Sequence, residues 1–123
     1  MMIRHFIYIG LGGMLGSIGR FALGKVVSGW MNPGFPWATF SVNIIGCFIM
    51  GLVIQGTSRD SDWRFFLATG FCGGFTTFSA FAAENIELLQ SGQTTGFILY
   101  TALSIVLGLA AFLAGSALMR MIS

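Results

Sequence analysis

The chain has 123 residues, of which 55% are hydrophobic and 8% are charged, with a formal net charge of +2 at pH 7. Because a soluble globular domain typically carries about 25% charged residues, this composition excludes one and predicts an integral membrane protein with a single domain, residues 1–123. The few positive charges form no Lys/Arg run of the kind that binds nucleic acid. We therefore expect membrane lipid, and no nucleic acid, around this chain.

Charged residues divide the sequence into four apolar stretches. Each is long enough to cross a bilayer, which takes about 20 mostly apolar residues in a helix. The predicted spans are residues 6–27, 37–56, 63–90 and 96–119. The loops between them are short and rich in Gly, Pro, Ser and Asn, so no soluble domain remains.

Four spans place both termini on one side of the membrane. Counting Lys and Arg gives four residues on the side of the termini (Arg4, Arg59, Arg64 and Arg120) and two on the other (Arg20 and Lys25). This bias favours a cytoplasmic N-terminus only weakly, and a chain so evenly balanced can insert in both orientations. The high glycine content also suggests more close helix contacts than one copy can use, so we expect an oligomer.

In the first span, Arg20 lies about 21 Å along the helix from Phe6. An arginine at that depth faces a cavity or a partner, or else it extends its side chain to the lipid headgroups. Both interpretations remain open. Gly12 and Gly16 lie on one face and predict close approach of another helix.

In the second span, Asn43 is the strongest polar exception. Its amide can both donate and accept hydrogen bonds, so it can hold an anion or bridge two helices. Gly46, three residues later, predicts a tight helix contact on nearly the same face.

The third span is the most informative. Residues 65–83 contain no charge, yet residues 70–81 (GFCGGFTTFSAF) combine glycines, hydroxyls and phenylalanines. We predict a helix break near residues 73–77, where Gly73, Gly74, Thr76 and Thr77 either turn carbonyls toward a small cation or satisfy the freed backbone with threonine hydroxyls. Phe78 and Phe81, about 4.5 Å apart along a helix, can offer electropositive ring edges to an anion, although such spacing also suits ordinary packing.

In the fourth span, Tyr100, Ser104 and Gly108 recur every four residues. This face either lines a pathway or forms hydrogen bonds between helices. For His5, Glu84 and Glu87, which lie near helix ends, we expect solvated side chains at headgroup level.

These motifs resemble the small fluoride channels called Fluc or CrcB. The resemblance covers essentially the whole chain and rests on Gly12-Gly13-x-x-Gly16 with Arg20, on Asn43-x-x-Gly46, and above all on residues 70–81. It implies an all-α membrane protein whose four transmembrane helices, the third broken at its centre, assemble as an antiparallel dual-topology homodimer. It also implies passive export of fluoride from the cytoplasm across a cell membrane, the bacterial inner membrane, by a multi-pass channel that is not an enzyme.

The resemblance further implies roles for individual residues. Fluoride would pass Asn43, Phe78, Phe81 and Tyr100, with polar contacts from Ser79 and Ser104 and with Arg20 toward the vestibule. The backbone carbonyls of Gly73 and Thr76 would hold a structural sodium ion at the dimer interface. Ala80 stands where many family members have Thr, so the polar lining beside the phenylalanines is incomplete here.

Three other classes of protein compete with this interpretation. A dual-topology small multidrug exporter also has four helices, but it uses a carboxylate in its first span, where this chain has Arg20 and no Asp or Glu. A haem-anchoring subunit would need an intramembrane His. An enzyme would need a nucleophile, a base and a group that orients them, and no such set is evident.

Overall fold

The computed structural model describes residues 2–123. Within this range the chain is helical and contains no strand. Its elements are α1 (Met2–Trp30), α2 (Trp37–Gly56), α3 (Asp62–Arg64), a π-helical segment (Phe65–Cys72), α4 (Gly73–Phe75), α5 (Phe78–Gln90) and α6 (Thr94–Ile122). The elements from Asp62 to Gln90 form the third span.

Among the described residues, four segments are long and apolar enough to cross a membrane: Ile3–Trp30, Trp37–Gly56, Asp62–Gln90 and Thr94–Ile122. The prediction of an all-helical membrane protein with four spans is therefore confirmed. The first and last helices extend past the predicted apolar stretches, because polar residues at a span end continue the helix into the interface.

The first helix packs on the π-helical segment and α4. A Cβ atom added at Gly12 would overlap the carbonyl oxygen of Phe66, and one added at Gly16 would overlap that of Phe71. The close approach predicted for these two glycines is confirmed. The small side chains allow the backbones of two helices to touch.

The second helix packs on α6 in the same way. Gly51 contacts the backbone at Phe112, and Gly115 contacts the backbone at Phe48. Gly46 meets the side chain of Thr76, as its position near Asn43 predicted. Many glycines are thus used within one copy of the chain, so glycine content alone does not require a second copy.

Helical geometry in the third span is interrupted at two residues. Thr76 has φ −87° and ψ 161°, and Thr77 has φ −151° and ψ 115°, which are extended conformations. Gly73 and Gly74 remain helical, so the interruption is narrower than the predicted 73–77. Gly74 serves close packing instead, since a Cβ atom there would meet the backbone of Gly13.

Few side chains are buried within this thin bundle. The buried hydrophobic residues are Val42, Val53, Ala68, Cys72, Phe75, Leu88 and Tyr100. Large apolar side chains cover much of the outer surface of α1 and α6, as expected for helices in lipid.

Candidate functional site

Two cavities share Thr77 in their walls. The first, called the phenylalanine cavity, has a volume of about 350 Å³, and Asn43, Phe78, Phe81 and Ser104 are in its wall. The second, called the arginine cavity, has a volume of about 340 Å³, and its wall includes Arg20, Lys25, Thr39 and Ala80. The interrupted part of the third span therefore contributes a residue to both cavities.

A single amide holds the backbone at Thr77. The Thr77 N–H donates to Asn43 Oδ1 at 2.8 Å, and Asn43 Nδ2 donates to the Thr77 carbonyl at 3.2 Å. Unpaired backbone groups are costly inside a membrane, so this pair of bonds stabilises the interruption. Asn43 Nδ2 carries a second hydrogen, and Asn43 is in the wall of the phenylalanine cavity.

The interruption also changes which carbonyls have donors. In a continuous helix, the Thr77 N–H would bond the carbonyl of Gly73, and the Ala80 N–H would bond that of Thr76. Here the Thr77 N–H is directed to Asn43, and the Ala80 N–H donates to Thr77 Oγ1 at 3.1 Å. The carbonyls of Gly73 and Thr76 thus lose their usual helical donors.

Arg20 is tied to the same region of the third span. Its Nε donates to the carbonyl of Gly74 at 3.0 Å, which fixes the guanidinium in the wall of the arginine cavity. Lys25 is in the same wall, with its ammonium 5.4 Å from the ring centre of Phe21. Two positive side chains therefore face this cavity, which favours the entry of an anion.

Phe78 and Phe81 lie together at the start of α5. Their ring centres are 5.7 Å apart, and Phe78 is 79% exposed within one copy of the chain. Phe71 and Phe75, which extend the same spacing, instead stack on each other at 5.4 Å, and Phe75 is buried. These four phenylalanines thus form one packing pair, Phe71 with Phe75, and one cavity-lining pair, Phe78 with Phe81.

Ser104 contributes an unusual polar atom. Its Oγ is buried and has no hydrogen-bond partner in the described part of the chain, although it lies in the wall of the phenylalanine cavity. A buried hydroxyl without a partner is costly. Its position suits a ligand that accepts a hydrogen bond from it.

Tyr100 is completely buried and lies outside the walls of both cavities. Its hydroxyl donates to Glu84 Oε1 at 2.7 Å, and the Thr39 hydroxyl donates to Glu84 Oε2 at the same distance. The Tyr100 ring lies 5.0 Å from that of Phe81. This hydrogen-bonded cluster therefore connects Thr39, in the arginine cavity, with an aromatic ring of the phenylalanine cavity.

The cluster corrects one sequence-based expectation. Glu84 is half-buried and accepts two hydrogen bonds, so the expectation of a solvated headgroup-level charge is wrong for this residue. Sequence reasoning also missed Thr39. For Glu84 the sequence did contain a signal. It follows Phe81 by three residues, so the two side chains lie on the same face of the helix.

The structure brings most of the candidate residues together, but Ser79 stands apart from both cavities. Ser79 is exposed, and its hydroxyl lies 3.2 Å from Thr77 Oγ1. Ala80 offers only a methyl group to the arginine cavity. The arrangement as a whole presents positive charge in one cavity, and an amide, a hydroxyl and two aromatic rings in the other. These are groups that interact with an anion.

Comparison with known proteins gives a consistent result. The family model described as "CrcB-like protein, Camphor Resistance (CrcB)" matches residues 7–116. A Rhizobium etli protein named "Fluoride-specific ion channel FluC" is 41% identical, over 97% of this chain and 98% of its own length. Proteins of the same name from Flavobacterium psychrophilum and Chlorobium phaeobacteroides are 45% and 44% identical, over 89% and 93% of this chain and 91% of their own lengths in both cases.

Proposed function

Because the chain belongs to the CrcB family, we propose that it is a fluoride-selective ion channel, through which fluoride leaves the cytoplasm passively and its concentration there falls. The main support is the similarity to proteins named fluoride-specific ion channels, which extends over nearly the full length of both chains. The chain is a multi-pass membrane protein of the CrcB family, whose similar members are named ion channels, and not an enzyme.

The two cavities support a route for the ion. Fluoride would be attracted into the arginine cavity by Arg20 and Lys25, and would pass the interruption held by Asn43. It would then meet the ring edges of Phe78 and Phe81 and the hydroxyl of Ser104. Each group replaces part of the hydration shell, and none except Arg20 and Lys25 carries a full charge, so binding stays weak enough for release.

In this proposal Tyr100 positions other side chains and does not contact the ion directly. Since it is fully buried and donates to Glu84, we assign it the role of holding the Phe81 ring and the Glu84 carboxylate in position. Ser79, which is exposed beside Thr77, would contribute a polar contact only on the outer face of the interruption.

We further propose that the interruption is the functional break of the third span and that it faces a second copy of the chain. Gly73, Phe78 and Ser79 are all exposed on one copy, although they lie at the centre of a membrane span. Polar backbone at this depth needs protein or water beside it. A second copy in the opposite orientation, as the weak charge bias allows, would cover it and complete a dual-topology homodimer.

We propose that a structural sodium ion binds at the same interface. The carbonyls of Gly73 and Thr76 have lost their helical donors, and carbonyl oxygens are suitable ligands for a small hard cation. Two carbonyls from each of two copies would supply four oxygens. When bound, the ion would neutralise these oxygens and hold the copies together.

The alternative function, a dual-topology small multidrug exporter, has less support. Such a transporter needs a carboxylate in its first span, and α1 contains none. The similar proteins are named as channels instead.

Reconstitution into liposomes tests the proposed function. The liposomes are loaded with potassium fluoride or potassium chloride, a potassium ionophore is added, and efflux is followed with an ion-selective electrode. We expect rapid efflux of fluoride and little of chloride. Equal efflux of both ions, or none of fluoride, would contradict the proposal.

The variant Phe81→Ile tests the ring pair in the same assay. Loss of the aromatic edge should slow fluoride efflux by about tenfold, which corresponds to about 1.4 kcal/mol on the barrier, while assembly is retained. The matched control is Phe6→Ile on the exposed surface of α1, which should leave efflux unchanged. Unchanged efflux in Phe81→Ile would show that this ring only packs.

A further inference from the structure

A third cavity lies away from both cavities of the proposed pathway. It has a volume of about 420 Å³ and is lined by Tyr8, Leu11, Asp62, Trp63 and Phe66. We call it the tryptophan cavity. We propose that it binds the headgroup of a membrane phospholipid that carries an ammonium group.

The position of the cavity matches the level of lipid headgroups. Asp62 is the first residue of the third span, and Trp63 follows it. Tyr8 lies near the beginning of α1, and Trp and Tyr are typical of the membrane interface. Leu11 and Phe66 lie about one turn further into the span, where they can contact the upper part of an acyl chain.

The aromatic rings suit a cation. Trp63 is 64% exposed and packs against Phe66 in an edge-to-face arrangement with ring centres 6.2 Å apart. This arrangement leaves indole surface accessible. A ring face of Trp or Tyr attracts an ammonium group, with Trp the strongest of the aromatic residues.

The charges beside the cavity match both ends of a zwitterionic headgroup. Asp62 Oδ1 lies 3.3 Å from Arg4 Nε, and the two side chains remain 44% and 54% exposed. The Asp62 carboxylate can therefore accept hydrogen bonds from an ammonium group, while the Arg4 guanidinium donates to the adjoining phosphate. A headgroup with a phosphate but no ammonium would meet the Asp62 carboxylate without a compensating positive charge, so it should bind more weakly.

Competition between two lipids tests this proposal. The purified full-length protein is equilibrated with micelles that contain equal amounts of phosphatidylethanolamine and phosphatidylglycerol, and retained lipids are counted by native mass spectrometry. We expect phosphatidylethanolamine to be retained in preference by about fivefold. Equal retention, or a preference for phosphatidylglycerol, would overturn the proposal.

Variants locate the preference. Asp62→Asn and Trp63→Leu should reduce it to near equality, whereas Asp60→Asn, which changes a nearby carboxylate that does not line the cavity, should keep it. Arg4→Gln should reduce retention of both lipids alike, because both carry a phosphate. A preference that survives in both Asp62→Asn and Trp63→Leu would place the lipid elsewhere.

Two further measurements keep the result interpretable. Thermal unfolding of each variant in detergent checks that the fold persists. Arg4→Gln breaks the same ion pair as Asp62→Asn but keeps the carboxylate, so it should lower retention of both lipids without abolishing the preference between them. Soluble phosphoethanolamine at the same concentration should not displace the lipid, because it lacks the acyl chains that Leu11 and Phe66 would contact. Displacement by it would overturn a lipid as the occupant.

Discussion

At the scale of single residues, Asn43 affects both the backbone of the third span and the wall of the phenylalanine cavity. Its side chain pairs with both backbone groups of Thr77 across 34 positions of sequence. By doing so it holds the interruption, frees the Gly73 carbonyl and remains in the wall of the phenylalanine cavity. The two roles that the sequence left open for it, bridging helices and contacting an anion, are compatible in this geometry.

Asn43→Leu should therefore lower stability as well as fluoride efflux. Leucine is similar in size but leaves the Thr77 N–H and carbonyl unpaired, and each such group costs about 1–3 kcal/mol. Thermal unfolding in detergent measures the loss, and Asn32→Leu, in an exposed loop, is the control for the same chemical change. A variant as stable as the control would show that other groups satisfy Thr77.

The cluster around Glu84 is the second feature at this scale. Tyr100→Phe keeps the ring beside Phe81 and removes one donor, and Thr39→Val removes the other. Because both donors serve one carboxylate, their loss should be non-additive. We expect each variant to lower the free energy of unfolding by about 1–2 kcal/mol, and the double variant by more than the sum. Additive losses would mean that the two bonds act independently.

At the scale of helices, glycines set how close the spans lie. Gly12 touches the backbone of the third span, whereas a Cβ atom added at Gly10, two residues earlier in the same helix, would have no neighbouring atom within 4 Å. Both positions are glycines in the same apolar helix, but only Gly12 packs against another helix of the protomer.

Gly12→Ala should destabilise the protein by about 1–3 kcal/mol, the usual cost of overpacking. Gly10→Ala should be neutral or slightly stabilising, since alanine favours a helix by about 1 kcal/mol over glycine. Thermal unfolding in detergent compares the two. Similar losses at both positions would contradict the view that contact with Phe66 sets the helix separation.

The third span shows which of its structural features the sequence could predict and which it could not. Absence of charge over residues 65–83 predicted a span, and the unusual polar residues predicted irregularity near its centre. Composition could not distinguish which residues leave the helix, because glycine both loosens a backbone and permits close packing. Gly74, which is helical, packs against the backbone of Gly13, and Thr77, which is extended, is hydrogen-bonded to Asn43. Both contacts come from other helices and are not visible in local sequence.

At the scale of the whole molecule, one copy leaves polar features exposed at membrane depth. The four spans followed directly from hydropathy. Asn43, Phe78, Phe81 and Ser104, which the resemblance assigned to the fluoride pathway, line one cavity. The partnership of Thr39, Glu84 and Tyr100 was not foreseen, because it joins three different helices whose relative rotation the sequence does not specify.

Sodium should stabilise the proposed dimer. Replacing sodium with N-methylglucamine during purification should increase the monomer fraction measured by size-exclusion chromatography with light scattering, because the carbonyls of Gly73 and Thr76 would lose their shared cation. Potassium serves as a control for ionic strength with a larger ion. A dimer fraction that is the same in all three salts would contradict the proposed site.

The bond between Asn43 and Thr77 also has a consequence for how the protein is made. Asn43 is synthesised 34 residues before Thr77, so α2 can already be in the bilayer when the third span leaves the ribosome. Until the two helices meet, a continuous helix is the form that satisfies the backbone of the third span in lipid. We expect the span to insert unbroken and to open at Thr76 and Thr77 only after it docks on α2, so that the bend arises as a late step of assembly within the membrane.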